Sequence, residues 1–447
     1  MIAFGLLVVL GVGMRVNNAV QYPVNLGFDA PENWRYIHQL MHSWELPSPE
    51  SDWATAHPPF FYYASAGLGQ LVGEHEADPA VILIRLLGSA IGLVAIALCV
   101  LLVVRIDPQV PRRAWLAAAL LLLLPVQLYM SAMLNEEIWA AALVSIVAVG
   151  AALEMHRRTP TEGPGALVRA LGLGFAGGLA LLTKASGILV IAAAAGAALI
   201  AGWKRGTLRP ALAWAAALLA VALLVGGWFY ARNFVSWGYL YPQDLAVHEV
   251  MFTMPPGERG FGDYLFVPLS TWTDPQLVNP DLLRSVWGST YVTFWFDGHR
   301  HYLARESPSV TYAGTLILFL ALLPTAAFFV GLLRGARRAF SRPASADTPL
   351  LLLTALTVVG YLVFTAANPW FAAVKASYLL GLAAPFSFYT SEVLSDWTRG
   401  RNTRSTLVWC ILLLLFLAIV VVFTYGPVYW NWAGRGIEWT RIPSSMP

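Results

Sequence analysis

Asp29 opens a segment, Asp29-Ala30-Pro31-Glu32, that leads into a periodic stretch carrying Trp34, Ile37, Leu40, Met41 and Trp44 on one face, with Arg35 and His38 on the other. That spacing predicts a short amphipathic helix along a membrane surface. On residue types alone Asp29 reads first as its N-cap, an ordinary role for an Asp at a helix start. His57-Pro58-Pro59, followed by Phe60, Phe61, Tyr62 and Tyr63, forces extended chain and then turns it along or into the interface. Asn135-Glu136-Glu137 falls between two apolar runs, where a carboxylate is costly unless solvated or put to use. Lys184, in Leu182-Thr183-Lys184-Ala185-Ser186-Gly187, either snorkels to the headgroups or binds phosphate as a point charge. Arg232, next to Asn233, offers a fork of donors that suits phosphate oxygens, and Lys375 opens a late apolar run.

The elements that must position these groups are apolar helices. Of 447 residues, 58% are hydrophobic and 12% charged, against about a quarter charged in a soluble domain. A soluble enzyme is thereby excluded as the whole molecule. Runs long enough to cross about 30 Å of hydrocarbon are expected at 1–16, 80–104, 113–132, 136–153, 168–183, 186–203, 211–231, 311–333, 349–366, 371–391 and 407–425. The first is read as a retained helix, and 57–73 as either a further span or an interfacial helix. Lys and Arg cluster in five connections, at Arg105–Arg113, Arg157–Arg169, Lys204–Arg209, Arg334–Arg342 and Arg399–Arg404, which together hold sixteen of the 28 basic residues. All five share one side if 57–73 does not cross, and the positive-inside rule makes that side cytoplasmic. The long segments 17–79 and 232–310 then face outward, and the chemistry with them, within one membrane domain, 1–447, that ends in the apolar helices of 311–447. A net charge of +3 gives no reason to expect nucleic acid. Cys99 and Cys410 lie inside apolar runs, so no disulfide framework is expected.

The second outer segment holds His248, Glu249, Asp263, Asp274, Asp297, His299 and His301. Asp297-Gly298-His299 with His301 invites a metal reading, but so few ligands at this spacing read better as a solvated loop. Acceptor recognition is expected in this segment.

Taken together, Asp29, the surface helix, the Leu46-Pro47 turn and the His-Pro-Pro-aromatic-aromatic-Tyr segment resemble the first outer loop of the GT-C glycosyltransferases. More narrowly, they are similar to the branch of protein O-mannosyltransferases and bacterial lipid A aminoarabinose transferases. The resemblance implies an all-α polytopic membrane protein of GT-C fold, with about eleven transmembrane helices and two large exoplasmic loops containing juxtamembrane helices. It implies a membrane glycosyltransferase that moves a sugar from a polyprenyl-phosphate carrier to an acceptor hydroxyl or amine on the outer side, inverting the anomeric centre. The acceptor class, lipid, glycan or protein, stays open.

Asp29 matches the acidic residue that such enzymes place beside the scissile bond, although Ala30 stands where a second acid often follows. Glu136 and Glu137 match their second acidic group. Lys184 sits in the counterpart of a Leu-Thr-Lys-Gly turn, with Ala185 in place of the glycine, and Arg232-Asn233 and the Lys375-Ala-Ser-Tyr-Leu-Leu segment also have counterparts. The expected roles are Asp29 as base, Glu136 or Glu137 as its partner, Lys184 and Arg232 as a phosphate clamp, and Lys375 as a further phosphate ligand. His57, Tyr62 and His248 are expected to contact substrate. No resident cofactor is expected; a divalent ion held by acidic residues, as in the oligosaccharyltransferases, is the alternative. A flippase for a lipid-linked saccharide is the competing function, and it would use Lys184 and Arg232 without needing Asp29. The expected location is a bacterial inner membrane with the site facing the periplasm.

Overall fold

A computed structural model describes residues 2–73, 77–157, 161–163, 165–242, 254–304 and 307–428. Among them the chain is helical. The first half comprises α1 (Ile2–Gln21), α2 (Ala30–Ser43), α3 (Phe60–Val72), α4 (Ala77–Ile106), α5 (Pro111–Leu122), α6 (Pro125–Ala132), α7 (Glu137–His156), α8 (Ala166–Thr183), α9 (Gly187–Arg205) and α10 (Leu208–Trp237). After short helices in the second outer segment come α11 (Pro308–Ser341), α12 (Asp347–Ala367), α13 (Ala383–Trp397) and α14 (Thr403–Tyr425). Among the described residues, ten helical segments are long and apolar enough to cross a membrane, or eleven if α5 and α6 form one bent span.

Four expectations are adjusted. The 113–132 run is not one straight helix: α5 and α6 meet at 44°, because Pro125 supplies no N–H and restrains Leu124 to extended backbone. The 371–391 run is 3-10 helix over Phe371–Ala373 and Ala376–Leu382 and becomes α-helix only from Ala383. Pro385, in the first turn of α13, has no N–H with which to bond the Gly381 carbonyl, so the α-helical hydrogen-bond pattern is not continued back into the 3-10 segment. The first helix does not stop near Arg15 but continues to Gln21, with the buried Arg15 guanidinium donating to the Leu122 carbonyl at 2.8 Å and the Gly11 carbonyl at 3.0 Å. The 57–73 stretch resolves into α3, whose 13 residues rise only about 20 Å and fall short of a crossing.

The two ends of the bundle have opposite chemistry. At one end Arg338 binds Asp347 and Glu392, Arg334 binds Asp396, and Arg169 binds Glu154. These arginines belong to the clusters that the sequence places together on one side. At the opposite end α2 and α3 pack on each other and on α4, forming a cap with its own apolar core of Trp34, Ile37, Leu40, Met41, Phe61 and Tyr62. Small residues let α8 and α10 approach closely beneath that cap. A Cβ on Gly178 would come within 2.6 Å of the Val225 Cβ and 2.9 Å of the Ala222 carbonyl oxygen. This contact holds the Lys184 turn at the end of α8 beside the outer half of α10.

Candidate active site

Asp29 is the residue before α2, with left-handed backbone (φ 58°), and its side chain makes no capping hydrogen bond. The N-cap reading therefore fails in its usual form, leaving the carboxylate available to the cleft. Its nearest cation is Lys375 Nζ, 3.9 Å from Oδ2. Asp29 keeps 42% of its side-chain surface accessible, whereas Lys375 keeps 7%. Surrounding protein raises the Asp29 carboxyl above its ordinary value, with Lys375 opposing; the open face moderates both effects by solvent screening. Glu32 points away into a surface network, with Arg35 bridging it at 3.3 Å to Asp52 at 2.8 Å.

The turn after α6 is fixed by Asn135, whose amide donates to the Met130 and Met133 carbonyls while its Oδ1 accepts from the Glu137 N–H at 2.9 Å. Glu136 and Glu137 thereby face Lys184, whose Nζ lies 2.5 Å from Glu137 Oε1 and 3.4 Å from Glu136 Oε1. Burial acts against the Lys184 charge, but the two carboxylates outweigh it and its pKa is raised. Burial likewise opposes ionisation of Glu136, yet the Lys184 charge holds its pKa below the usual range. Ser377 Oγ donates to the same Glu137 oxygen at 3.5 Å. The Tyr378 ring lies between the two lysines, 4.9 Å from Lys184 Nζ and 5.2 Å from Lys375 Nζ, and Phe28 faces Lys375 at 4.3 Å.

A hydrogen-bond relay sets the state of His57. Asn33 Nδ2 donates to the Leu134 carbonyl at 3.0 Å, which fixes Asn33 Oδ1 as the acceptor of the Tyr62 hydroxyl at 2.8 Å. The single Tyr62 proton is thus committed, so its oxygen must accept from His57 Nδ1 at 3.0 Å. His57 is the Nδ1–H tautomer and Nε2 carries the lone pair. Burial pushes the His57 pKa down, with Lys184 adding to the effect against the pull of Glu136. Tyr62 is fully buried, with its hydroxyl bonded to Asn33 and His57. Replacing Tyr62 by Phe leaves Asn33 Oδ1 and His57 Nδ1 unpaired, which costs about 1–3 kcal/mol. Thermal unfolding of the purified variant checks this, and an unchanged midpoint would sink the relay.

The structure therefore brings Asp29, Glu136, Glu137, Lys184, Lys375 and His57 to one end of the bundle. It does not bring Arg232 into that cluster. The Arg232 guanidinium donates to Asn233 Oδ1 at 3.3 Å and lies 4.9 Å from the Trp237 ring centre, on the flank where its charge reaches Tyr36 and Tyr63. His248 lies outside the described residues. Sequence reading missed Asn33, Ser377, Tyr378, Phe28 and Tyr241, the last of which stacks on His57 at 6.3 Å. Two were legible in principle, since Phe28 precedes Asp29 and Tyr378 follows Lys375 by one 3-10 turn.

The second outer segment is less solvated than its composition suggests. Asp297 is 1% exposed, and its Oδ2 accepts from the Tyr302 and Leu303 N–H groups at 2.7 and 2.8 Å, pinning the loop. His299 and His301 meet the Phe28 ring edge-on at 5.1 and 4.8 Å, forming a wall beside Asp29. Among the described residues, no three His, Cys, Asp or Glu are arranged to hold a metal ion. Arg85 donates to the Tyr22 and Pro23 carbonyls at 2.6 and 2.8 Å and so anchors the chain ahead of Asp29 through backbone oxygens.

Residues 56–230 match the family model described as dolichyl-phosphate-mannose-protein mannosyltransferase. Among curated proteins no sequence matches. The chain is similar to the Archaeoglobus fulgidus oligosaccharyltransferase, solved tethered with an acceptor peptide, at 15% identity and TM-score 0.52 over 95% of this chain and 56% of that one. A second structure from the same organism, AglB in complex with an inhibitory peptide and a dolichol-phosphate, aligns with TM-score 0.52 at 14% identity, covering 99% and 60%. ArnT from Cupriavidus metallidurans, bound to undecaprenyl phosphate, aligns with TM-score 0.53 at 14% identity, covering 96% and 77%. The chain thus spans little more than half the length of the archaeal structures it matches. The shared architecture, with its crossing helices and helical outer segments, is the GT-C membrane fold, and this chain has it.

Proposed function

We propose that the protein transfers a sugar from a polyprenyl-phosphate-linked donor to an acceptor hydroxyl or amine at the exoplasmic membrane face, with inversion and without a resident metal. The observation that carries this reading is an accessible carboxylate, Asp29, beside the buried cation of Lys375 at the end of the bundle opposite the arginine clusters. In the reaction the acceptor attacks the anomeric carbon, the bond from that carbon to the phosphate oxygen breaks, and polyprenyl phosphate departs with the electron pair. Asp29 takes the acceptor proton as the new bond forms. Lys375 neutralises charge developing on the phosphate. It is better placed for this than Lys184, whose charge is already matched by Glu136 and Glu137. That carboxylate–lysine group forms the floor of the site, His57 Nε2 accepts from a substrate hydroxyl, and Arg232 meets the carrier phosphate from the flank. A bacterial inner membrane with a periplasmic site fits the arginine distribution.

The test is purification with native lipid, followed by mass spectrometry of the bound species before and after candidate acceptors are added. A polyprenyl-phosphate sugar that loses its sugar to one acceptor supports transfer. A lipid-linked saccharide carried intact under every acceptor would favour transport.

The pH dependence has a definite sign. The protein around one side of Asp29 raises its pKa while Lys375 opposes that rise, so the acid limb of kcat/KM is expected above the ordinary carboxylate value of about 4. In Lys375→Met the opposing charge is gone, and the limb should move to still higher pH along with any loss of rate. A limb that stays put or moves down in that variant rules out the Asp29–Lys375 coupling.

A further inference from the structure

The second outer segment carries a run of large apolar side chains that the described residues leave exposed: Phe261 is 79% exposed, Leu265 68%, Phe266 49%, Val267 41% and Leu269 71%. Water is a poor neighbour for so continuous a patch, and its place in the fold says what covers it. The short helix Ser270–Thr273 that follows packs on α11, where Trp272 stacks on Phe319 at 6.3 Å and contacts Tyr291 at 6.0 Å. The Tyr291 hydroxyl donates to the Leu318 carbonyl at 2.7 Å and fixes the same level. Phe319 lies far down α11. Counting back from Arg334, which pairs with Asp396 at the basic end, it stands about 22 Å up the helix at about 1.5 Å per residue, inside a hydrocarbon layer of about 30 Å. Trp272 is therefore at membrane depth. The α11 face around it, with Leu316 50%, Phe319 48% and Leu322 43% exposed, is a lipid-facing stripe, and the apolar run of the loop continues it.

We infer that residues 261–272 dip into the outer leaflet beside α11 and are covered by lipid acyl chains, so that this outer segment is a membrane-inserted wedge rather than a water-exposed loop. Its charged groups and the Phe266 carbonyl are paired on the protein side, while the Tyr264, Ser270 and Thr271 hydroxyls and Trp272 Nε1 are buried without a hydrogen-bond partner among the described residues. Arg259 donates to the Leu283 and Arg284 carbonyls, Arg284 pairs with Asp263 at 3.2 Å, and Ser285 Oγ donates to the Phe266 carbonyl at 2.5 Å. The wedge anchors the chain between the cap and the buried helix Val286–Trp295, whose Thr293 hydroxyl accepts from the Ala376 N–H at 2.9 Å. Anchoring in lipid thus holds the backbone beside Lys375.

Depth measurement by spin labelling tests this on the full chain in nanodiscs of phosphatidylcholine and phosphatidylglycerol. In a Cys410→Ala background, labels are placed singly at Leu265→Cys and Leu269→Cys, with Leu316→Cys as the span reference and Glu45→Cys as the aqueous reference. Labels at 265 and 269 are expected to collide readily with oxygen and poorly with a water-soluble nickel complex, as at 316. Collision behaviour like that at 45 would overturn the proposal. Protection from both reagents would overturn it too, because protein rather than lipid would then cover the patch. Two positions keep the test decisive if one variant fails to fold.

Discussion

Replacing Asp29 by Asn is expected to lower the transfer rate by about 10²–10⁴-fold, the range for losing a general base, while the protein keeps its fold and its bound donor. The structure makes this substitution clean. Asp29 sits at φ 58°, a left-handed conformation that Asn tolerates as well as Asp does. Its side chain makes no capping bond that Asn would lose, and the ion pair with Lys375 is long and open on one side. A stability change within about 0.5 kcal/mol is therefore expected. The measurement is single-turnover transfer from donor retained through purification, read by mass spectrometry for both forms. Equal turnover would remove Asp29 from the chemistry, and loss of the donor from the variant would make Asp29 a binding group instead. Asp29→Ala is a poorer probe, since it adds backbone strain of about 1 kcal/mol or more at a positive φ.

The second large effect is expected at Lys184, on stability rather than on the chemical step. Lys184→Met leaves Glu136 and Glu137 facing each other with 10% and 9% of their side chains exposed. Removing one partner of a buried charge group typically costs about 3–5 kcal/mol, and the 19% exposure of Lys184 places this case toward the lower end. Thermal unfolding in nanodiscs reads the loss. Adding Glu137→Gln to Lys184→Met removes the more closely held carboxylate and should recover much of the midpoint without restoring wild-type transfer. A single variant as stable as the parent would mean that the carboxylates are solvated. A double variant with full activity would place the group outside the site.

These expectations draw unequally on sequence and structure. Apolar run lengths give the number of crossings, because about 20 residues must satisfy their own backbone hydrogen bonds in hydrocarbon. The arginine clusters give which ends lie together, and the ion pairs of Arg334 and Arg338 with Asp396, Asp347 and Glu392 follow. The amphipathic period of α2 was legible because its apolar face is buried against α3. Asp29, Glu136, Glu137, Lys184, Lys375 and His57 were legible as candidates through the resemblance of their segments to the GT-C glycosyltransferases, since on residue types alone Asp29 reads as an N-cap and Lys184 as a snorkelling lysine.

Their relations were not legible. Lys184 and Glu137 are 47 residues apart in the chain, and only the close packing of α8 on α7 and α10 makes them partners. That contact decides that Lys184 is neutralised, whereas Lys375, held in extended backbone between two 3-10 segments, is the cation beside Asp29. The tautomer of His57 depends on a carbonyl at Leu134 reached through Asn33 and Tyr62, a chain of single protons with no sequence signal. The sequence by itself determined that this is a polytopic helical membrane protein whose ionisable groups lie in the connections, with the basic clusters on one side, since burial of apolar surface and the penalty for bare charge act locally along the chain. Only the tertiary structure decided which charges meet, because pairing depends on helix crossings set by small residues and proline breaks that bring distant turns to within a few ångströms.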